Sequence, residues 1–184
     1  AKVIEKEDPI LLNKACKNDV ELDGTRAAHI RDAGAVCRFL CWLDQHGPSG
    51  NIDELEAVKK LYTFRQQVPY FQGNSFETIS GAGPNGAIVH YSVTEETSRK
   101  LTNNMIYLVD SGGQYLDGTT DVTRTIALGE ATEKQRDNFT RVLKGHIALA
   151  QARFPKGRSG AHLDTLARKP LWDVGLDFDH GTGH

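Results

Sequence analysis

The chain has 184 residues, 39% of them hydrophobic, which is enough for one domain with a buried core. Its formal net charge is -2 and its pI about 6.4, so it lacks the positive charge that proteins use to hold nucleic acid or anionic membranes. No apolar run approaches membrane-spanning length and no signal-peptide core begins the chain, so the sequence predicts a cytoplasmic protein.

The first part of the chain shows no clear periodicity. Residues 1–18 mix charged side chains with Pro9, and we interpret them as a segment that leads in from a missing N-terminal region. Residues 19–184 are then one folded domain.

The cysteines fit a reducing compartment, because Cys16, Cys37 and Cys41 are odd in number. Cys37 and Cys41 stand four apart on a predicted helix, so we expect them to be small buried side chains. Metal binding by this pair is the alternative, although no second pair of soft ligands lies near it in the sequence.

Two amphipathic helices are predicted next. The first covers about residues 20–46 and ends at Gly47-Pro48. Its expected apolar stripe consists of Ile30, Val36, Cys37, Leu40 and Leu43. The second begins at Asn51 as the cap, with Glu54 in the capping-box position, and continues toward Pro69.

The pattern then changes to strands at residues 78–80 and 87–93, which flank a turn signal at residues 84–86. This places His90 within a strand. By its own context, a histidine in a strand is more often a structural residue than a functional one.

Two carboxylates, Asp110 and Asp121, flank a glycine-rich bend. An apolar run over residues 106–109 predicts that Asp110 ends a buried strand, and Asp117-Gly118 predicts a two-residue turn. Strand parity then places both carboxylates on one face of the hairpin.

Being on one face does not bring the two acids together. The predicted turn sets Asp110 opposite Thr125 and Asp121 opposite Gln114, so the glycines at 112 and 113 must bend the hairpin. Converging carboxylates then require a shared proton, an arginine or a metal ion between them. Aspartates that only form the turn are the alternative.

Two more helices follow. Thr132 and Gln135 predict the cap of a third helix that stops before Pro155, and Pro170 interrupts a fourth helical stretch over residues 163–174. The chain then ends on His180, Gly181, Thr182, Gly183 and His184.

The spacing of His180 and His184 keeps both on one side of a strand or loop. Two aspartates and a histidine are donors that suit manganese, cobalt or zinc, and a pair of such ions activates water for hydrolysis. Incidental histidines in a glycine-rich loop are the alternative.

Three motifs occur in order: GAIVHYSV around His90, VDSGGQYLDGTTDVTRT from Val109 to Thr125, and LDFDHGTGH at the end. With them the chain, from about Cys16 onward, resembles the Xaa-Pro aminopeptidases, the aminopeptidase P group of pita-bread metallopeptidases. The resemblance implies an α+β fold, with a curved antiparallel sheet covered by helices. It also implies that residues 19–184 are the larger, N-terminal part of a catalytic domain cut at His184.

The resemblance also implies roles for five residues. Asp110 resembles the terminal aspartate ligand of one metal, Asp121 the aspartate that bridges two, and His184 the histidine ligand. His90 and His180 are similar to two non-ligand histidines that line the substrate pocket and assist proton transfer. The implied cofactor is a pair of divalent ions, usually manganese, with cobalt or zinc as alternatives.

The implied reaction removes the first residue from peptides with proline in second position, in an enzyme expected to be a homodimer at full length. The family completes its site with two glutamates downstream of the histidine ligand, so we expect the fragment alone to be inactive. Two alternatives stay open: another pita-bread hydrolase such as a prolidase, and a metal-free binding module. The presence of Asp110, Asp121, His180 and His184 argues against the second.

Overall fold

The computed structural model describes residues 5–184, so the first four residues of the predicted leading segment lie outside the described part. The α-helices of that part are α1 (Leu11–Ala15), α2 (Asp19–His46), α3 (Glu54–Gln66), α4 (Glu133–Ala150) and α5 (Gly160–Trp172). The strands are β1 (Ser49–Asp53), β2 (Phe71–Asn74), β3 (Ile79–Ala82), β4 (Lys100–Thr102), β5 (Met105–Ser111), β6 (Gly113–Tyr115), β7 (Gly118–Thr119) and β8 (Val122–Leu128). All pairings are antiparallel, which confirms the predicted α+β class.

One long bent hairpin organises the strands. β5 lies between β3 and β8 in one sheet, and β6 lies between β2 and β7 in a second. Asp110 pairs with Thr123, and beyond a break at Gly112, Gln114 pairs with Thr119. The register is therefore the same on both sides of the break, so the two sheets are one ladder that bends at Gly112.

The predicted turn at the tip of this hairpin was wrong by one residue. Tyr115 pairs with Gly118, so the turn residues are Leu116 and Asp117, and Asp110 faces Thr123 instead of Thr125. The tip is docked on α2, because the Asp117 carboxylate accepts a hydrogen bond from Arg31 of that helix. This tertiary contact outweighs the local preference of Asp-Gly for the turn.

The main core lies between one face of β5 and helices α2 and α3. Tyr107 and Val109 of β5 point into it, whereas Asp110 is half-buried on the other face. The buried core residues are Phe39, Leu43, Ala57, Leu61, Ala82, Leu101, Tyr107, Val109 and Leu128.

Helix α2 has the predicted length and end, but a different side faces the core. Its buried residues are Ala28, Asp32, Ala35, Phe39 and Leu43. Leu43 of the predicted stripe is buried and Leu40 packs against the core, but Ile30 is 76% exposed. All three cysteines are exposed, so the prediction of buried cysteines was wrong. The buried stripe keeps helical spacing but includes small and polar side chains, which a search for large apolar residues misses.

Helix α3 begins two residues later than an Asn51 cap predicts, because β1 occupies that stretch. Its cap is Asp53, which accepts from the Glu56 amide while Glu56 reciprocates. Glu54, predicted in the capping box, is instead completely buried.

The predicted strand over residues 87–93 does not form. A 3-10 helix (Gly83–Ala87) precedes this stretch and includes its first residue, and His90 has a positive φ of 52°. Asn85 and Tyr91 both direct their side chains to the buried Glu54 carboxylate, at 3.0 and 2.9 Å. A strand would place these two side chains too far apart to share one carboxylate, so the backbone turns between them.

The two C-terminal helices, α4 and α5, pack mainly against each other. α4 carries the predicted Thr132 and Gln135 cap. α5 continues through Pro170 to Trp172, so the predicted interruption at Pro170 was wrong. The two helices cross closely at Gly145, where any Cβ would clash with the carbonyl oxygen of Ala167. Within residues 5–184 no helix is long and apolar enough to cross a membrane.

Candidate metal centre

Three of the predicted site residues converge. Asp110 lies near the end of β5, Asp121 precedes β8, and His184 is the last residue of the chain. One ligand atom from each lies within 4.8 Å of the other two. His184 Nε2 is 3.6 Å from Asp110 Oδ2 and 3.5 Å from Asp121 Oδ1.

The bend at Gly112 explains why the two aspartates meet. In the observed register Asp121 lies diagonally across from Asp110, and diagonal partners on one face are within side-chain reach. A Cβ on Gly112 would clash with the Thr120 carbonyl oxygen and with Ser75 Oγ. Only glycine permits this close approach of the strands. Arg124 pairs with Val109, which faces the core, so it points away from Asp110.

A buried ion pair supports the chain beside Asp121. The Asp32 carboxylate accepts hydrogen bonds from Arg65 Nε at 2.8 Å, Tyr115 Oη at 2.7 Å and Thr120 Oγ1 at 2.9 Å. Thr120 Oγ1 also accepts from the Gly113 amide at 2.9 Å. Asp32 therefore fixes the residue immediately before Asp121, and it ties the bend to α2 and α3.

The ionised form of Asp32 is stabilised despite its burial. Burial alone would raise the pKa of Asp32, but the hydrogen bonds and charge of Arg65, with the hydroxyls of Tyr115 and Thr120, hold the pKa below its ordinary value. The network therefore keeps its geometry at neutral pH.

The converging residues fit a divalent metal. Asp110 Oδ1 is buried and has no hydrogen-bond partner among residues 5–184, which is unfavourable unless a ligand satisfies it. Two donors on one ion with bonds of about 2.1 Å lie about 3 to 3.5 Å apart, close to the distances between His184 and the aspartates. Two carboxylates and an imidazole are donors for manganese, cobalt or zinc.

His180 lies beside this cluster. It lines a cavity of about 420 Å³ together with His184, and the rest of the wall comes from α4, α5 and residues 176–183. The His180 ring stacks on Phe178 at 4.8 Å, and its Nδ1 lies 2.8 Å from the Gly181 carbonyl oxygen. Because a carbonyl only accepts, Nδ1 carries the proton and Nε2 of the neutral ring is left as an acceptor.

His90 is the fifth predicted residue, and it is exposed. It belongs neither to the ligand cluster nor to the wall of this cavity. Its neighbour Tyr91 is anchored, because Glu54 accepts from Tyr91 Oη at 2.9 Å and from the Ala82 amide at 2.6 Å. Burial raises the pKa of Tyr91, so the hydroxyl keeps the proton that it donates.

Three buried residues support the site in roles that the sequence motifs do not indicate: Asp32, Glu54 and Arg65. Each is a charged residue that continues a helical series of buried positions, such as Ala28, Asp32 and Ala35 on α2. A charged residue at a core-facing position is the signal that would have found them, because such residues are buried only when paired.

Comparison with known proteins agrees with this geometry. The model of metallopeptidase family M24 matches residues 23–184. The chain is 52% identical over 180 residues to a Xaa-Pro aminopeptidase of Drosophila melanogaster, covering 97% of this chain and 29% of the relative. The chain therefore belongs to metallopeptidase family M24.

Two solved structures are similar to it. One is the X-prolyl aminopeptidase of Caenorhabditis elegans, a cytosolic enzyme with a di-nuclear active site, with a TM-score of 0.87 and 43% identity over 96% of this chain and 29% of that one. The other is a Xaa-Pro dipeptidase of Bacillus anthracis, with a TM-score of 0.79 and 26% identity over 95% of this chain and 48% of that one. These likenesses confirm the pita-bread fold. The chain spans about three tenths of the length of the aminopeptidase relatives.

Proposed function

We propose that these residues are part of a metal-dependent aminopeptidase that removes the first residue of peptides with proline in second position. The observation that carries the proposal is the convergence of Asp110, Asp121 and His184 in a chain 52% identical to a Xaa-Pro aminopeptidase. The proposed domain is residues 19–184 as the N-terminal part of a catalytic domain, preceded by a leading segment, in a protein that dimerises at full length.

Asp110, Asp121 and His184 would hold two divalent ions, with Asp121 between them. We propose manganese, with cobalt or zinc as alternatives that the same donors accept. Such ions supply Lewis acidity, which polarises a peptide carbonyl and makes water more acidic. These 184 residues contribute three ligand side chains, so we expect them alone to bind metal weakly and to show no turnover.

The two other histidines act on the substrate in this proposal. His180 presents Nε2 as a proton acceptor on the wall of the cavity that adjoins His184. His90 is an exposed imidazole on a turn whose ends are held by Glu54, so it is available to orient the peptide and to transfer a proton.

Peptide hydrolysis by the full-length protein that carries these residues tests the proposal. Xaa-Pro-Xaa and Xaa-Ala-Xaa peptides are compared after chelation and again after addition of manganese. We expect release of the first residue from the proline peptide alone, lost with chelator and restored by manganese. Equal cleavage of both peptides, or cleavage that survives chelation, would contradict it.

A dipeptidase is the second candidate, favoured by the likeness to the Bacillus anthracis Xaa-Pro dipeptidase. A length series of Xaa-Pro, Xaa-Pro-Xaa and longer peptides separates the two activities. Cleavage confined to the dipeptide would support the dipeptidase, whereas cleavage of the longer peptides would support the aminopeptidase. Protein that binds no metal and cleaves nothing would instead indicate a binding module.

A further inference from the structure

The last eight residues carry two of the proposed site residues but have little packing of their own. In this histidine segment (residues 177–184), only Phe178 and Thr182 are half-buried and the others are exposed. Within residues 5–184 the segment makes no backbone-to-backbone hydrogen bond. Open cavities of about 420 and 590 Å³ border it. Among the described residues, its contacts are therefore made mainly by side chains of its neighbours.

One guanidinium of α5 makes most of these contacts. Arg168 Nη1 donates to Asp177 Oδ1 at 2.9 Å and to the Phe178 carbonyl oxygen at 2.5 Å. Arg168 Nη2 donates to the His180 carbonyl oxygen at 2.8 Å. The guanidinium also lies 4.0 Å from the centre of the Phe178 ring, on which the His180 ring stacks.

Asp164, one helical turn before Arg168, holds both the arginine and the segment. Its Oδ2 accepts from Arg168 Nε at 2.7 Å, and its Oδ1 accepts from the Thr182 hydroxyl. Asp164 and Arg168 thus contact the segment at residues 177, 178, 180 and 182. Thr182 is two residues before His184, so the hydrogen bond from Thr182 to Asp164 holds the chain close to the proposed ligand His184.

Arginine suits this task better than lysine. Its planar fork presents donors in several fixed directions, whereas an ammonium is a single charged point on a flexible stem. Only 14% of the Arg168 side chain is exposed, so water competes little for its donors.

We infer that Arg168, held by Asp164, is the positioning residue that places the histidine segment over the two aspartates and so sets the metal affinity contributed by His184. The inference rests on the proposed metal-dependent function. It predicts that loss of the guanidinium leaves the sheet and the aspartates in place but releases His184 from them.

The test uses the full-length protein with Arg168→Ala and a matched control, Lys169→Ala. Lys169 is the next residue of α5 and makes an ion pair at the same spacing with Asp173, but it does not contact the segment. We expect Arg168→Ala to raise the Kd for Mn2+ by about 10- to 100-fold and Lys169→Ala to leave it unchanged. An unchanged Kd in Arg168→Ala, or an equal rise in Lys169→Ala, would overturn the inference.

Two further measurements keep the test decisive. Thr182→Val removes one hydroxyl contact without removing a charge, so it serves if Arg168→Ala fails to fold, and we expect it to raise the Kd about fivefold. An unchanged Kd in that variant would count against the inference.

Histidine NMR of the metal-free protein gives a readout independent of activity: we expect the His184 ring signal to be dispersed in the wild type and close to that of an unstructured chain in Arg168→Ala. A wild type that cleaves no Xaa-Pro peptide would reject the proposed function, while identical His184 signals in both proteins would reject the positioning role.

Discussion

The hairpin bend and the histidine segment bring ligands to the same point, but they are held in different ways. The hairpin bends at Gly112, and Asp121 lies opposite this glycine, just before β8. The buried ion pair of Asp32 and Arg65 supports the bend through the hydrogen bond from Thr120 to Asp32. The histidine segment lies across α5 on polar contacts from Arg168 and Asp164, with most of its residues exposed. Among the described residues, the carboxylate side of the site is therefore held by buried contacts and the histidine side by polar contacts nearer the surface.

The largest expected effect is on the ligand itself, at Asp121→Asn. This change removes the proposed bridging charge, so we expect turnover of the full-length protein to fall to background. The Asp121 side chain is 51% exposed, so the free energy of unfolding should change by no more than about 0.5 kcal/mol. Normal turnover with manganese would reject the bridging role.

Asp32→Ala tests whether the buried network of Asp32 and Arg65 holds the hairpin bend that carries the aspartates. It leaves Arg65 as an uncompensated buried charge, and we expect a loss of about 3 to 5 kcal/mol in the free energy of unfolding, measured with urea. Asp23→Ala is the control, because it removes an exposed partner of Arg26 and should cost at most about 0.5 kcal/mol. Similar losses in the two variants would mean that the buried network does not hold the bend.

His90→Ala asks whether this residue belongs with the ligands. Because His90 lies outside the ligand cluster, we expect unchanged metal content and a fall in kcat of about 100-fold. Metal analysis beside the kinetics distinguishes the roles, since lost metal would make His90 a ligand and not a group that acts on the substrate.

Lowering the pH tests the same Asp32 network, with a smaller and gradual loss of stability expected. The pKa of Asp32 is held below its ordinary value near 3.8, so its stabilising contribution is complete above that pH and is lost as the pH falls through the folded-state pKa. Carbon-13 NMR of the Asp32 carboxyl should give a midpoint below 3.8, with a parallel drop in the free energy of unfolding. A midpoint above 3.8 would show that burial outweighs Arg65.

Local pattern was sufficient for much of this architecture. The end of α2 at His46 and the cap of α4 at Thr132 follow from residues next to them in the sequence. Strand parity correctly placed Asp110 and Asp121 on one face. The glycine bend that brings them together was also predicted. These features depend on residues close to one another in the chain.

The errors arose where distant residues decide the local structure. The turn moved to Leu116 and Asp117 because Arg31, 86 residues away, binds Asp117. His90 does not lie in the predicted strand, because its neighbour Tyr91 turns inward to donate a hydrogen bond to Glu54, 37 residues away in the sequence. Neither partner is visible in the short windows from which strands and turns are predicted.

The most direct test of the metal centre is anomalous X-ray diffraction from crystals of the full-length protein grown with manganese. We predict anomalous peaks about 2.2 Å from carboxylate oxygens of Asp110 and Asp121 and from Nε2 of His184. Manganese peaks at other residues, with none at these three, would contradict a metal centre at Asp110, Asp121 and His184.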